Sequence, residues 1–178
     1  MSAILLLLLA VATASPKPTC LPPFWRGILA GGTTRSEVAR LYGEGVFLPD
    51  EKGDPASYYL DRSGAVTLHV VYGTDDLVRT LEIINGNAVP EGSRRNPRLI
   101  SAYLRPPFVF GGLGALTFGA SMEDVRANMG EPVERARGDA ESSTFVYHSS
   151  CACELASGIS FTFRNGHLAK VAFWQDFD

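Results

Sequence analysis

The sequence is poor in the residues that most often carry chemistry. Its 178 residues hold three cysteines, three histidines and two tryptophans. Cys151 and Cys153 are separated by one residue, and Cys20 stands alone. That spacing matches no standard zinc motif. No zincin helix, Walker loop or nucleophile elbow is present. Charge of one sign is also lacking: 16 Lys and Arg stand against 19 Asp and Glu, a net of −3, so there is no electrostatic footprint for nucleic acid. No apolar run approaches the ~20 residues of a membrane span.

One short apolar run is present. The first fourteen residues carry no charged side chain and include Ile4–Ala10, followed by Ala12-Thr13-Ala14. Small residues at −3 and −1 after such a run read as a signal peptide, residues 1–14, and imply a periplasmic or secreted protein. The chain beyond it suffices for one core, burying roughly 70% of the unfolded surface. Residues 15–27 form an N-terminal segment. Cys20 follows Pro16-Lys17-Pro18-Thr19, which is not a lipidation signal. Export favours oxidised cysteine. Cys20 with Cys151 or Cys153, or Cys151 with Cys153, are the disulfide candidates.

The richest signal is repetition. "GGTTRSEVARLYGEG" (31–45) and "FGASMEDVRANMGEP" (118–132) align without a gap. Thr34 matches Ser121, Glu37 matches Asp124, Val38 matches Val125, and Gly43 matches Gly130. Each reads as a helix opened by a capping box and closed by a glycine. Val38, Leu41 and Tyr42 form one apolar stripe, and Met122, Val125 and Met129 another. Strand-like alternation follows each helix. Val66, Leu68, Val70 and Tyr72 share a face, as do Ile159, Phe161 and Phe163. Leu81 and Ile83 answer Val171 and Phe173, and Asn165-Gly166 signals a hairpin. These patterns predict an α+β fold of two tandem helix-plus-antiparallel-sheet repeats, 28–84 and 115–178. Together they would form one continuous sheet with helices on one face. Residues 85–114 link them and carry Arg94, Arg95, Arg98 and Arg105.

The pattern G-[AT]-[ST]-x-x-[DE]-V-x-x-x-x-G-E, with a downstream aromatic-Tyr strand and F-x-[ND]-G-x-L-x-x-V, resembles the SmpA/OmlA (BamE-like) domain. In architecture it is similar to the β-lactamase inhibitory proteins, built from two such units. The second copy carries the resemblance through Gly119, Ser121, Val125, Gly130, Pro132, Tyr147, Phe163, Gly166, Leu168 and Val171. The resemblance implies a non-enzymatic protein-binding module: an inhibitor, an immunity factor or an envelope assembly scaffold. Two departures stand out. Nothing before Cys20 resembles the family's lipidation signal, and the first copy has none of the cysteines that place a disulfide in each unit of the inhibitory proteins. No inhibitory residue is carried over.

Three functional readings follow. In the first, the sheet face away from the helices binds another envelope or secreted protein. Its candidate residues are His69, Glu82, Thr162, Arg164, Lys170 and Trp174, with no cofactor and no metal. In the second, an enzyme or metal site uses His148, Cys151 and Cys153 of "HSSCAC". In the third, the protein binds a small molecule or lipid. His69 and His167 read individually as surface residues rather than ligands. The export reading predicts that the intact mass of protein recovered from the periplasm or medium corresponds to a chain starting at Ser15; recovery of the uncleaved chain from the cytoplasm would contradict it.

Overall fold

A computed structural model describes residues 24–93, 113, 115–138, 141–149 and 156–176. Ten strands, two α-helices and one 3-10 turn are found among them. A small hairpin of β1 (Phe24–Trp25) and β2 (Ile28–Leu29) precedes α1 (Arg35–Tyr42). Four strands follow: β3 (Val46–Pro49), β4 (Pro55–Leu60), β5 (Val66–Tyr72) and β6 (Val78–Asn85). After the 3-10 turn Glu91–Ser93 come α2 (Met122–Met129), β7 (Glu134–Arg137), β8 (Ser142–His148), β9 (Ser157–Arg164) and β10 (His167–Gln175). Strands β3 to β10 form one antiparallel sheet in the order β3-β4-β5-β6-β10-β9-β8-β7. No helix among the described residues is long and apolar enough to cross a membrane.

The expected α+β fold of two tandem helix-plus-sheet repeats is corrected by this architecture. The protein is mostly sheet, and the helices are two pieces of eight residues each. An eight-residue helix has little more than two turns. Here α1 buries only Val38 and Tyr42, and α2 only Val125. Such stripes cannot form a layer that closes a core for each half. Instead a single apolar cluster runs along one sheet face from Val38, Leu68 and Val70 through Leu81, Ile83, Val171 and Phe173 to Phe145, Phe161 and Val125.

The helices act as pegs at the two ends of this cluster. Thr34 Oγ1 accepts from the Glu37 amide at 3.3 Å while the Glu37 carboxylate accepts from the Thr34 amide at 2.9 Å. Ser121 and Asp124 repeat the exchange at 3.1 and 2.8 Å. These bonds hold both acids below the usual carboxylate range, the backbone bond contributing most. Gly43 (φ 90°) and Gly130 (φ 83°) end the helices in a conformation that side chains disfavour. The sheet grips both ends. Thr34 bridges Leu77 and Ser121 bridges His167. The Tyr59 and Tyr147 hydroxyls donate to the Gly43 and Gly130 carbonyls at 3.1 and 3.0 Å.

The two halves meet where β6 pairs with β10. Leu81 faces Phe173 and Ile83 faces Val171 on the helix side; Thr80 faces Trp174, Glu82 faces Ala172 and Ile84 faces Lys170 on the other. Each central strand carries an irregularity. One extra residue, Ala169, lets Leu168 and Val171 both turn to the core while Lys170 faces away. Arg79 plays the same part between Val78 and Leu81. Bulges of this kind re-aim side chains. Phe173 is 1% exposed at the seam. Phe173→Ala is expected to cost about 3–5 kcal/mol of unfolding free energy in a denaturant titration, as core aromatics do.

Candidate functional site: the open sheet face

Strand pairing places defined rows of side chains on the face away from the helices. One row runs Val46, Tyr58, His69, Glu82, Ala172, Ser160, Val146, Glu134 across all eight strands. The neighbouring rows carry Thr67, Ile84, Lys170, Thr162 and Thr144 on one side, and Val71, Thr80, Trp174 and Gly158 on the other. All six sequence-derived candidates fall on this face by alternation. They do not form one cluster.

His69, Glu82 and Lys170 come together, from three adjacent strands. His69 Nδ1 lies 2.9 Å from Glu82 Oε2, and Lys170 Nζ lies 2.6 Å from Glu82 Oε1. Tyr58 stacks on the His69 ring at 4.4 Å between centroids, 13° from parallel. Burial would raise the Glu82 carboxyl, but the His69 hydrogen bond and the Lys170 ammonium outweigh it and bring it down to about 2. Glu82 is therefore ionised, and Nδ1 is the His69 nitrogen that donates. A carboxylate so strongly stabilised is a weak base, poorly matched to general-base catalysis near neutral pH.

The other three candidates are dispersed. Thr162, paired with Lys170, exchanges a 3.2 Å hydroxyl contact with Thr144 on β8. The half-buried Trp174 lies across Gly158, where a Cβ would come within 2.7 Å of the indole, and its ring meets His148 edge-on at 5.5 Å. Arg164 is exposed at the β9–β10 turn. His148 is exposed at the end of β8. Cys20, Cys151 and Cys153 lie outside the described residues, as do the leader 1–14 and Arg94, Arg95, Arg98 and Arg105. No group of three or more His, Cys, Asp or Glu capable of holding a metal occurs among the described residues. His167 is exposed, with Nδ1 3.0 Å from the Gly119 carbonyl.

Two features escaped the sequence reading. His69 is not a surface residue: it is 9% exposed, because Tyr58 covers its ring. The face is also not uniformly polar. Val46, Ala56, Tyr58, Leu60 and Val89 form a second apolar cluster over β3–β5. Val89 arrives there because the chain after β6 folds back, with the Ala88 amide donating to Thr67 Oγ1 at 2.9 Å and Thr67 Oγ1 donating to the Gly86 carbonyl at 2.7 Å. This return segment, the β3–β4 turn and the β5–β6 turn enclose a groove of about 740 Å³ with Tyr58, His69, Glu82 and Lys170 among its lining residues. The paired tyrosines of "SYYL" and the polar alternation of 65–72 were the only available signals, and neither reveals stacking.

No protein-family model matches the sequence, and no curated protein matches it. Among solved structures, the chain is similar to a DUF4309 family protein (YjgB) from Bacillus subtilis subsp. subtilis str. 168, with a TM-score of 0.53 and 13% identity over 85% of this chain and 84% of that one. At that identity the likeness concerns the fold.

The half-buried ion pair makes stability depend on pH. The carboxyl of Glu82 falls from an ordinary value near 4.5 to about 2 on folding, so its contribution is complete above pH 4.5 and disappears as pH drops towards 2. Between pH 6 and pH 3, the wild-type protein is expected to lose on the order of 2 kcal/mol more unfolding free energy than Glu82→Gln. Equal losses in parallel denaturant titrations would remove the ion pair from this account.

Proposed function

We propose that the protein is an exported, non-enzymatic binding module that recognises another envelope or secreted protein with the open face of its sheet. The observation that carries this reading is the contrast between the two faces. One carries the continuous apolar cluster, to which α1, α2 and the β1–β2 hairpin contribute a few side chains each. The other presents, over β6, β10, β9 and β8, a platform of small and polar side chains interrupted by one half-buried indole. Indoles at the centre of interfaces commonly dominate binding energy. The capped, glycine-terminated helices and the Tyr147–Gly130 contact are compatible with the SmpA/OmlA resemblance and with the protein-binding role it implies. Two of the three residues of the enzyme reading, Cys151 and Cys153, lie outside the described residues.

A partner isolated from the envelope or secreted fraction by cross-linking provides the test. Trp174→Ala is expected to weaken its affinity about thirtyfold, equivalent to roughly 2 kcal/mol, while changing unfolding free energy by no more than about 1 kcal/mol. Thr162→Arg, a bulky charge in the middle of the platform, is expected to weaken binding as well. A partner that binds both variants as tightly as the wild type would overturn the assignment to this face.

A further inference from the structure

The helix side of the sheet carries, at its β7 edge, a cluster of arginines that the open-face reading does not use. Helix α2 runs along β8. Ser143 Oγ donates to Met122 Sδ at 3.5 Å, the Arg126 guanidinium stands 5.4 Å from the Phe145 ring centroid, and the Tyr147 hydroxyl holds the Gly130 carbonyl. Beyond β8, the edge strand β7 pairs Arg137 with Ser143 and Arg135 with Phe145. Partners directly opposite in an antiparallel ladder share a face, so Arg135 and Arg137 stand on the same side as α2. The Arg135 guanidinium lies 5.6 Å from the Phe145 centroid. Two guanidinium groups, one from the helix and one from the edge strand, thus meet on one ring, with Arg137 one place further along the strand.

Among the described residues one carboxylate answers these charges: Glu131 pairs with Arg135. Arg126 and Arg137 have no ion pair there, and Glu141, in the exposed turn after β7, pairs with neither. Burial, and then Glu131, push the Tyr147 hydroxyl up to about 12 against the opposing charges of Arg126 and Arg135, so all three surround one group. The chain as a whole carries a net −3, so composition does not account for a local excess of positive charge. Nor does the scaffold need it. Tyr59 and Tyr147, donating to Gly43 and Gly130, mark equivalent places in the two halves of the sheet. Counted from them, Ala39, Phe47 and Pro49 stand where the second half has Arg126, Arg135 and Arg137. There a single guanidinium, Arg35, covers Phe47 at 4.4 Å, and Glu44 and Asp76 line the same surface.

We infer that the cluster of Arg126, Arg135 and Arg137 docks an acidic, extended segment of a partner protein, whose Asp or Glu carboxylates accept from the N–H groups of Arg126 and Arg137. A guanidinium resting on an aromatic ring is held in place and still offers N–H edges that take a carboxylate bidentately. The spacing selects a peptide. Arg135 and Arg137 are two positions apart on a strand, about 7 Å, which is the interval between same-side carboxylates of an extended chain. A single phosphate needs its cations to converge on one point instead. These residues lie on the opposite side of the sheet from Trp174, so the inference stands apart from the open-face reading.

The test is calorimetric titration of the full-length protein with acetyl-tetraglutamate amide at low ionic strength. Saturable binding that weakens as salt is added is expected. Arg126→Gln combined with Arg137→Gln should weaken it about tenfold, at about threefold for each charge pair lost at a surface. Arg137→Gln alone, at an exposed strand position, should show about a threefold loss and reads the same effect if the double variant fails to fold. Arg126→Lys combined with Arg137→Lys keeps the charge and should bind within about threefold of the wild type. Arg62→Gln, at an exposed arginine elsewhere, and Arg94→Gln combined with Arg95→Gln in the linker should bind as the wild type does. No binding, unchanged affinity in the Gln variants, or an equal loss in the Arg62 or linker variants would overturn the inference. Tighter binding of inorganic phosphate or of phosphatidylglycerol vesicles, lost in the same Gln variants, would also overturn it by assigning the cluster to a different anion.

Discussion

The pairing of β6 with β10 is the contact on which the rest depends. Each half of the chain brings four strands and a short helix, and neither helix buries enough to close a core. Joining the strands edge to edge turns two thin amphipathic sheets into one with a continuous apolar face. Leu81, Ile83, Val171 and Phe173, all nearly inaccessible, sit at this junction. Burying each such side chain contributes roughly 1.5–3 kcal/mol relative to exposure. The same pairing brings Glu82 and Lys170 within reach of one another across 88 positions of sequence. Core and site are the two faces of one seam.

Among the described residues the sheet ends in two edge strands, and both are blunted. The edge strand β3 ends at Pro49 and pairs there with Pro55, so proline stands where a ladder would extend. The other edge strand, β7, reads Glu134-Arg135-Ala136-Arg137 and is fully exposed. Charge on an edge discourages pairing with another chain. Growth by strand addition is thus disfavoured at either end, which leaves the proposed recognition to side chains of the open face.

The open face is itself divided. Over β3–β5 the returning segment 86–89 covers it with Val89 and walls a groove; over β8–β10 the strands present Thr144, Ser160, Thr162 and Trp174. The Glu82 carboxylate lies between the two regions. Burial disfavours its charge, and the His69 hydrogen bond together with the Lys170 ammonium more than offsets that. Removing Glu82 would leave Lys170 without its counter-charge and His69 Nδ1 without its acceptor, so the trio ties the geometry of the groove to the integrity of the seam.

Local elements were largely legible in the sequence. Thr34, Glu37 and Gly43, like Ser121, Asp124 and Gly130, state where a helix begins and ends because capping is settled within a few residues. Alternation in 77–84 and 168–174 separates Leu81 and Phe173 from Glu82 and Lys170 because strand side chains alternate with a period of two. Asn165-Gly166 marks its hairpin because both residues tolerate the left-handed backbone found there, at φ 52° and 77°. The fold class was not legible: how much a helix contributes depends on how much it buries, and two turns bury little. The contact between His69, Glu82 and Lys170 was decided by tertiary structure alone. It requires the β5–β6 and β6–β10 registers together, and the extra residue Ala169 that lets Leu168 enter the core while Lys170 faces outward. Register between distant strands is set by the summed fit of the whole apolar face. No short stretch of sequence contains that sum.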